Sequence, residues 1–409
     1  MSLRDDAGQI IDACLESVRP DEIVKKALRD LPEHSGKTIL VAIGKAAYRM
    51  MSVATQVLGD SYEKGVCITK YGHAGDALDR VACFEAGHPV VDDNSVAATR
   101  QALEYVQNLT RDDLVVFLVS GGGSALFEDP LLPLPELQGI NTELLKSGAS
   151  ITEINTIRKR LSAVKGGRFA KKCEPALVYS IILSDIVGDP LDMIASGPAY
   201  PDMSGSEDAM RIVEKYSLSL SEETLKLLKA ETPKRLDNVT TVIAGSVREL
   251  CSAAKKKCEE LGYKSVVLTS AYEGEASFAG KFLALITKEH AKDGQKLAFI
   301  MGGESVVKVK GTGLGGRNQE LALSAAVDIE GLENTCVFSL GSDGTDGPTD
   351  AAGGIVFGDT VNVLRSKGLE IADYLENNDS YHALCECDGL IITGPTGTNV
   401  NDVSVLLID

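Results

Sequence analysis

The sequence predicts an α/β protein of two domains, and three features support this prediction. Its 409 residues exceed the roughly 100–200 residues of a typical single domain. Short apolar runs recur along the chain, each followed by a cluster of Gly, Ser or Asp and then by a helix-like stretch. Glycine contributes 40 residues, above its average usage of about 7%, which indicates many tight turns. We therefore expect two α/β domains with largely parallel sheets flanked by helices.

Seven apolar runs are predicted to form strands that are buried on both faces. Continuous apolar runs that end at turn residues are typical of parallel strands covered by helices on both sides. Ligands of such sheets bind beyond the carboxyl ends of the strands, where the polar clusters of this sequence fall. The predicted strands are Thr38–Ile43, Leu114–Val119, Val178–Leu183, Thr241–Ala244, Leu297–Met301, Cys336–Leu340 and Leu390–Thr393.

A charged, helix-prone stretch divides the chain. It runs from Glu207 to Arg235 and contains no apolar run of the strand type, and the next such run begins near Val239. Domain boundaries fall in polar segments of this kind. We therefore predict an N-terminal Rossmann-like domain over residues 1–235 and a C-terminal domain over residues 236–409.

Charge and composition exclude several classes of function. The chain has 41 Lys and Arg against 59 Asp and Glu, a net charge of −18 that repels nucleic acids and anionic membranes. No apolar run is long enough to span a bilayer, and the first ten residues (MSLRDDAGQI) do not resemble a signal peptide. The nine cysteines are irregularly spaced, as expected for reduced thiols in a cytoplasmic protein.

The turn after the predicted strand Leu114–Val119 contains three consecutive glycines. Successive glycines let neighbouring backbone N–H groups face one side and let a ligand approach the chain closely, which suits a phosphate. A tight turn in a glycine-rich protein is the alternative explanation. The candidate nucleotide-binding residues of this turn are Ser120, Gly121, Gly122, Gly123 and Ser124.

A lysine follows the first predicted strand, in the sequence Gly44-Lys45-Ala46. At the start of a predicted helix, Lys45 would lie at the positive end of the helix dipole, which disfavours an exposed cation by ~0.3–1 kcal/mol. A bound anion would offset this cost, so Lys45 is a candidate active-site residue. A solvated lysine is the alternative.

The segment Asn155–Ala170 is rich in cations although the whole chain is acidic. We expect Asn155 to cap a helix here, and residues spaced by three or four positions then share one helix face. Such a basic stripe can bind carboxylate or phosphate groups, and a merely solvated face is the alternative. The candidate substrate-binding residues are Asn155, Arg158 and Lys159, and the remaining cations are Arg160, Lys165 and Arg168.

Two acidic loops follow predicted strands. One contains Asp185 and Asp189, and the other contains Asp343 and Asp346. Oxygen ligands on glycine-rich turns suit Mg²⁺, which prefers one or two carboxylates together with phosphate oxygens and water. The sequence therefore predicts these four residues as candidate metal ligands, with plain Asx turns as the alternative for each loop.

The segment Gly311–Gly316 satisfies the pattern GxGxxG and keeps a dinucleotide-binding hypothesis open. It follows a strand-like Ser305–Lys310, whose alternation indicates an edge strand rather than the buried first strand of a dinucleotide fold. Arg317 comes directly after it, as suits a loop that presents a cation.

No GxSxG motif is present, which disfavours a serine hydrolase. Phosphoryl transfer fits the other motifs best, because its catalysis depends on positioning and charge neutralisation.

With these motifs the sequence resembles the class II glycerate kinases, the family whose C-terminal part is called the MOFRL domain. The resemblance extends over nearly the whole chain and keeps the order of the motifs. It rests on VAIGKAA (Val41–Ala47), GHPVVDDNS (Gly87–Ser95), SGGGSAL (Ser120–Leu126), NTIRKRLSAVKGGR (Asn155–Arg168), LSDIVGDPLDMIASGP (Leu183–Pro198), GGRNQE (Gly315–Glu320), SDGTDGPTDAAGG (Ser342–Gly354) and GPTGTNVND (Gly394–Asp402).

The resemblance implies ATP-dependent, Mg²⁺-assisted phosphorylation of D-glycerate in a cleft between the two domains, with 2-phosphoglycerate as the favoured product. It implies active-site roles for Lys45 and Arg317, and it makes Ser120–Ser124 the nucleotide-phosphate loop. We expect Asp189 or Asp185 to orient toward the metal, with Asp189 in the catalytic set.

Several alternatives stay open at this stage. Asp343 or Asp346 could instead hold the metal or accept the hydroxyl proton, and the carboxylate of glycerate could pair with Arg317 or with Arg158 and Lys159. Some members of the family are labelled hydroxypyruvate reductases, so reduction with NAD(P)H is the main rival, and a non-catalytic binding protein is another. We expect a monomer or a homodimer with no nucleic-acid or membrane partner.

Overall fold

The computed structural model describes residues 2–184, 186–188, 190–290 and 294–409. The candidate metal ligands Asp185 and Asp189 lie outside the described residues. The chain divides into two compact units. The first unit comprises the described residues of 23–184 and 189–244, and the second unit comprises those of 1–22, 185–188 and 245–409. Each unit contains one sheet flanked by helices, so the predicted two-domain α/β architecture is confirmed.

The strands are β1 (Thr38–Ile43), β2 (Lys64–Lys70), β3 (Val81–Ala86), β4 (Leu114–Val119), β5 (Leu177–Leu183), β6 (Val239–Gly245), β7 (Lys264–Tyr272), β8 (Leu297–Gly303), β9 (Thr335–Gly341), β10 (Gly353–Phe357), β11 (Leu390–Ile391) and β12 (Asp402–Ile408). The α-helices are α1 (Leu3–Ser17), α2 (Pro20–Leu28), α3 (Ala47–Leu58), α4 (Asp93–Tyr105), α5 (Gly123–Leu126), α6 (Leu134–Lys146), α7 (Ile151–Leu161), α8 (Arg168–Cys173), α9 (Ser206–Lys215), α10 (Glu222–Lys229), α11 (Val247–Glu260), α12 (Ala276–His290), α13 (Arg317–Asp328), α14 (Thr360–Ser366), α15 (Ile371–Glu376) and α16 (Ser380–Cys385). Among the described residues, no helix combines the length and apolarity that crossing a membrane requires.

The sheet of the first unit has the strand order β3-β2-β1-β4-β5-β6, and β1, β2, β3, β4 and β5 pair in parallel. This is the order of the doubly wound dinucleotide-binding fold, in which the chain leaves the sheet centre in opposite directions. β1 and β4 are neighbours in the middle, and Ile43 pairs with Val119 at their carboxyl ends. The topology therefore opens a crevice beyond these two strand ends, as the sequence predicts.

The sheet of the second unit is mixed, with the order β11-β10-β9-β12-β8-β7. Only β7 and β8 pair in parallel, whereas β12 runs antiparallel to both β8 and β9. The expectation of largely parallel sheets therefore holds for the first unit and needs correction for the second. Every residue of β12 is buried. A continuous apolar run reports burial on both faces and carries no information on strand direction.

The two units are not each formed by one continuous stretch of the chain. β6 begins at Val239, a few residues after the boundary predicted at residue 235, and forms the edge of the first sheet. α1, at the other end of the chain, belongs to the second unit, where the side chain of Asp6 accepts a hydrogen bond from the hydroxyl of Tyr263 at 2.8 Å. Sequence order alone does not reveal either exchange, because both depend on contacts between residues far apart in the chain.

Four helices of the first unit form a separate apolar cluster outside the sheet. α7 packs against α6, α9 and α10. The fully buried members of this cluster include Leu137, Leu144, Ile154, Ile157, Leu161, Ala209 and Leu228. This packing determines which side chains of α7 are available to a ligand.

Candidate functional site

The crevice of the first unit is closed at its base by direct contacts between the two turns that follow β1 and β4. The N–H of Lys45 donates to the carbonyl of Gly121 at 2.9 Å, and the N–H of Ala46 donates to Ser120 Oγ at 3.1 Å. Gly44 has a φ of 113°, and a Cβ at this position would collide with Ser120. Only glycine allows this approach, which holds the two turns together.

Four consecutive backbone donors of the glycine turn have no partner. Of the described residues, none provides an acceptor for the N–H groups of Gly121, Gly122, Gly123 or Ser124. Gly122 has a φ of 87°, a left-handed conformation that turns successive N–H groups toward one side. The turn is thus built as an anion-binding loop of the kind that the sequence predicts.

A lysine and a histidine lie beside this loop. Lys45 is half-buried, and no described carboxylate lies within 4 Å of its ammonium group. A Cβ on Gly122 would lie 3.0 Å from His88 Cδ2 and 3.2 Å from Lys45 Cγ. Burial lowers the pKa of His88, and the charges of Lys45 and Lys70 lower it further, so His88 is neutral near pH 7. The environment favours a phosphate, which would supply the missing negative charge.

A cavity of about 390 Å³ in the first unit adjoins the glycine turn. It lies between that turn, the segment that follows β3, and helices α6 and α7. Its polar or flexible lining residues are His88, Gly122, Ser124, Glu128, Gln138, Asn141, Thr142 and Arg158, and its apolar ones are Pro89, Val90, Val91, Ala125, Leu145 and Ile151. A cavity of this size and mixed lining is typical of small-molecule sites.

The three substrate-binding candidates on α7 have different surroundings. Arg158 lines the cavity, and its Nε donates to Asn141 Oδ1 at 2.8 Å. Lys159 does not line it, because its side chain is buried in ion pairs with Asp192 (3.0 Å) and Asp202 (3.3 Å). The structure thus favours Arg158 as the substrate-binding cation and gives Lys159 a structural role. The alternative of a solvated helix face does not fit α7, because several of its polar side chains, including Lys159 and Arg160, are buried.

Asn155 also differs from its predicted role. α7 begins at Ile151 and is capped by Ser150, whose Oγ accepts the N–H of Glu153, so Asn155 lies inside the helix. Its Oδ1 accepts a hydrogen bond from Ser196 Oγ at 3.0 Å, and Ser196 Oγ lies 2.9 Å from Ser124 Oγ. Asn155 is therefore connected to the glycine turn through Ser196 rather than to the cavity itself.

Glu128 is a site residue that the sequence analysis missed. It is 3% exposed, lines the cavity and places Oε2 2.5 Å from Lys165 Nζ. Its Oε1 has no hydrogen-bond partner among the described residues. A buried polar atom without a partner costs about 1–3 kcal/mol. Glu128 lies shortly after the glycine turn, but the isolated acidic residue gave no motif by which to find it.

Arg317 in the second unit is held by carboxylates. It is the first residue of α13, and it contacts Asp402, the first residue of β12, through Nε (2.6 Å to Oδ2) and Nη2 (3.0 Å to Oδ1). Nη1 donates to Glu304 at 3.2 Å. Burial disfavours the guanidinium charge, but these carboxylates outweigh burial and raise the pKa of Arg317. No sequence pattern identifies Asp402 as the partner of Arg317, because the two residues are far apart in the chain. A ligand would have to compete with Glu304 for the guanidinium.

The candidate metal ligands of the second unit are placed unequally. Asp346 is buried, and its carboxylate accepts the N–H groups of Asn318 (3.2 Å) and Gln319 (2.8 Å) at the start of α13. Burial raises the pKa of Asp346 to about 6. Asp346 therefore caps the start of α13 with both carboxylate oxygens, and its predicted metal role stays a prediction. Asp343 accepts one N–H, from Thr345 at 3.0 Å, and its other carboxylate oxygen has no hydrogen-bond partner in the part of the chain that the structure describes.

No group of three or more His, Cys, Asp or Glu side chains in metal-binding geometry occurs within the described residues. Mg²⁺ in phosphoryl-transfer sites needs only one or two protein carboxylates, because phosphate oxygens and water complete its shell. Asp343 fits this requirement among the described residues.

The GxGxxG segment does not form a dinucleotide loop. Ser305–Lys310 is not a strand, and the N–H groups of Gly311 and Thr312 donate to the side chains of Asn378 and Asn377 at 3.0 and 3.1 Å. The N–H of Gly313 donates to the carbonyl of Asn377 at 2.9 Å. These glycines allow close packing against the segment before α16, so their N–H groups are not available to a pyrophosphate.

Comparison with known proteins extends over the whole chain. A domain of unknown function (DUF4147) matches residues 6–229, and the MOFRL family matches residues 297–402. The D-glycerate 2-kinase of Thermotoga maritima is 51% identical over 100% of this chain and 99% of its own length. The crystal structure of a glycerate kinase from the same organism matches with a TM-score of 0.95 at 50% identity, covering 100% of this chain and 99% of that one. A protein of Agrobacterium vitis named a putative hydroxypyruvate reductase is 37% identical over 100% of this chain and 95% of its own length.

Proposed function

The chain belongs to the class II glycerate kinase family, whose C-terminal part is the MOFRL domain, and from this premise we propose that it transfers the γ-phosphoryl group of ATP to D-glycerate. The observation that carries the proposal is the row of four N–H groups from Gly121 to Ser124 beside Lys45, none of which has a partner among the described residues. Phosphoryl transfer requires such preorganised donors and cations, because its transition state spreads negative charge over the phosphoryl oxygens.

We assign each group a task within this reaction. The glycine turn Ser120–Ser124 binds the nucleotide phosphates, and Lys45 neutralises charge on the group in transfer. Arg158 pairs with the carboxylate of glycerate, since it is the cation of α7 that lines the cavity. Arg317 contributes a second guanidinium, held in orientation by Asp402.

Mg²⁺ accompanies ATP in this proposal and would supply charge neutralisation at the phosphates. Asp343 is the described carboxylate that fits it, while the predicted roles of Asp185 and Asp189 stay predictions. So do the 2-phosphoglycerate product, the cytoplasmic location, the monomeric or homodimeric state and the absence of a nucleic-acid partner.

A paired assay on the purified protein tests the proposal. One arm follows ADP release with D-glycerate, ATP and Mg²⁺, with and without EDTA, and the other follows oxidation of NADH and NADPH with hydroxypyruvate. We expect EDTA-sensitive ADP release that depends on D-glycerate, and NMR of the product then distinguishes 2- from 3-phosphoglycerate. Nicotinamide oxidation without ADP release would overturn the kinase proposal.

A further inference from the structure

Glu128, which lines the cavity of the first unit, has a buried carboxylate oxygen that no part of the described chain satisfies. Glu128 is almost fully buried, and one of its two oxygens, Oε2, is held by Lys165 at 2.5 Å. Lys165 also donates to the carbonyl of Phe127 at 3.0 Å, and Oε1 of Glu128 has no hydrogen-bond partner among the described residues. Buried carboxylate oxygens normally accept hydrogen bonds, so an oxygen left over in a residue that lines a cavity indicates a donor that arrives with a ligand.

A guanidinium lines the same cavity without pairing with this carboxylate. No nitrogen of Arg158 lies within 4 Å of a Glu128 oxygen. The two groups still interact at longer range, because burial lowers the pKa of Arg158 and the charge of Glu128 partly offsets this effect. The hydrogen bond from Arg158 Nε to Asn141 fixes the plane of the guanidinium, and its terminal nitrogens donate to no described acceptor. The cavity thus offers an anion-binding fork and a separate hydrogen-bond acceptor, each fixed by another residue.

We propose that Glu128 recognises a hydroxyl group of the acceptor substrate, with Oε1 accepting its hydrogen bond while Arg158 binds the carboxylate of the same molecule. The ligand class is a hydroxy acid, since the two proposed contacts require an anionic group and a hydroxyl donor in the same molecule. This inference rests on the proposed kinase function for the identity of the acceptor, and it adds a specificity residue to it. Lys165 is a positioning residue that orients Glu128 through the contact between Nζ and Oε2.

Two considerations favour the acceptor over the nucleotide as occupant of this end of the cavity. A buried carboxylate repels phosphate groups, so Glu128 is poorly suited to contact a triphosphate. The cavity also includes Gly122 and Ser124, so a hydroxyl held at Glu128 shares one enclosed space with the proposed phosphate loop. Because phosphoryl transfer passes through a loose transition state, orienting the hydroxyl matters more than removing its proton early.

Ligand binding by the full-length protein without nucleotide tests the inference. Isothermal titration calorimetry compares the binding of D-glycerate with that of three analogues. 3-Hydroxypropionate lacks the 2-hydroxyl group, D-lactate lacks the 3-hydroxyl group, and propionate lacks both. The readout is the ratio of the Kd for propionate to the Kd for D-glycerate. A hydrogen bond to a charged group corresponds to about 10- to 100-fold in affinity, so we expect a ratio of that order in the wild type. The analogue with the larger loss identifies which hydroxyl contacts Glu128.

Two variants of Glu128 remove the acceptor in different ways. In Glu128→Gln, the carbonyl oxygen faces Lys165 and the amide presents a donor to the cavity. Glu128→Asp keeps a negative charge near Lys165 and shortens the side chain by one methylene, which withdraws the acceptor from the ligand, so it protects the test if Glu128→Gln fails to fold. We expect the ratio to fall about 10- to 100-fold in both. Glu143→Gln makes the same charge change at an exposed position of α6 and should keep the wild-type ratio.

Arg158→Gln separates the two contacts. This substitution should raise the Kd for D-glycerate and the Kd for propionate by the same factor, because both ligands carry the carboxylate. The ratio of the two Kd values should therefore stay unchanged. A wild-type ratio in folded Glu128 variants would overturn the inference. So would a change confined to the discrimination of ATP from 2′-deoxy-ATP, which would assign this end of the cavity to the nucleotide.

The failure of this inference is distinguishable from the failure of the proposed function. Hydroxyl selectivity that depends on Glu128, without ADP release, would retain the binding role and refute the kinase. ADP release with a ratio that Glu128 does not affect would retain the kinase and refute the role of Glu128.

Discussion

Arg317 and Asp402 form a two-pronged ion pair across the end of the second sheet, with Nε and Nη2 of the arginine donating to the two oxygens of the aspartate. Asp402 begins β12 and pairs in register with Gly303 of β8 and Gly341 of β9. The antiparallel strand therefore brings its first residue to the edge at which β8 and β9 end. Two carboxylates, from Asp402 and Glu304, hold the planar guanidinium in one orientation.

This pairing predicts that Arg317→Lys is costly although it keeps the charge. A lysine cannot reproduce the planar fork, so we expect kcat/KM for D-glycerate to fall by about 10- to 100-fold. Steady-state kinetics measure the loss. Arg365→Lys is the matched control and should behave as wild type. Arg365 lies on α14 and forms an exposed ion pair with Glu330. Unchanged kinetics for Arg317→Lys would mean that the fork has no part in catalysis.

Lys45→Ala tests charge neutralisation at the glycine turn. The substitution removes a cation that pairs with no described carboxylate and lies beside four N–H groups without a described acceptor. We therefore expect kcat to fall by about 10²–10³-fold while circular dichroism stays unchanged. Lys26→Ala removes an exposed cation of α2 and serves as the control. Turnover near the wild-type rate in Lys45→Ala would exclude this lysine from the mechanism.

Gly122→Ala tests the conformation of the turn itself. Both Gly122 (φ 87°) and the control Gly262 (φ 90°) adopt the left-handed conformation, so alanine should cost about 1–2 kcal/mol of stability at either position. A Cβ at Gly122 would also press against His88, whereas the space around Gly262 is open. We expect only Gly122→Ala to raise the KM for ATP. Equal kinetic effects of the two substitutions would refute a phosphate-binding role for the turn.

Lys159 and Arg158 are neighbours in sequence, but we expect substitution of Lys159 to lower stability and substitution of Arg158 to weaken substrate binding. Lys159→Met leaves the buried Asp202 with less positive charge nearby, so we expect the free energy of unfolding to fall by roughly 2–4 kcal/mol and the KM for D-glycerate to stay unchanged. Arg158→Met should instead raise that KM by about tenfold or more. Urea denaturation and steady-state kinetics on both variants check this; a raised KM in stable Lys159→Met would restore Lys159 as a substrate ligand.

Asp346 predicts a specific dependence of stability on pH. Burial raises the pKa of Asp346 to about 6, above its value of 3.8 in the unfolded chain, so the folded protein binds this proton more tightly. Its contribution to stability is fully present below about pH 4 and is lost as the pH rises to about 6, a change of roughly 1–3 kcal/mol. Urea denaturation at pH 4–7 should show that the stability difference between wild type and Asp346→Asn changes over this interval. A constant difference would contradict the raised pKa.

The predictability of the fold differed between its elements. The runs that form β1 and β4 were predicted to the residue, because strands buried on both faces are continuously apolar. β7 was not among the predicted strands, because it is a partly exposed edge strand whose residues do not form a continuous apolar run. Its exposure follows from where the strand lies in the sheet, which its own residues do not encode.

The candidate site was predictable only in part, for a related reason. The glycine turn and Lys45 were found because backbone geometry makes local demands on residue type. Glu128 and Asp402 were missed, since an acidic residue acquires a role only from the lysine or arginine that the fold brings to it. The same limitation led Lys159 to be grouped with Arg158, although only one of the two lines the cavity.

The sequence by itself determined the α/β class, the crevice at the ends of β1 and β4 and the family of the chain, because these depend on local patterns of polarity and glycine. The tertiary structure alone decided the direction of β12, the pairing of Arg317 with Asp402 and the unsatisfied oxygen of Glu128. Charge on a side chain is a property of its residue type. Whether that charge is buried, neutralised or left free for a ligand depends on which distant segments pack around it.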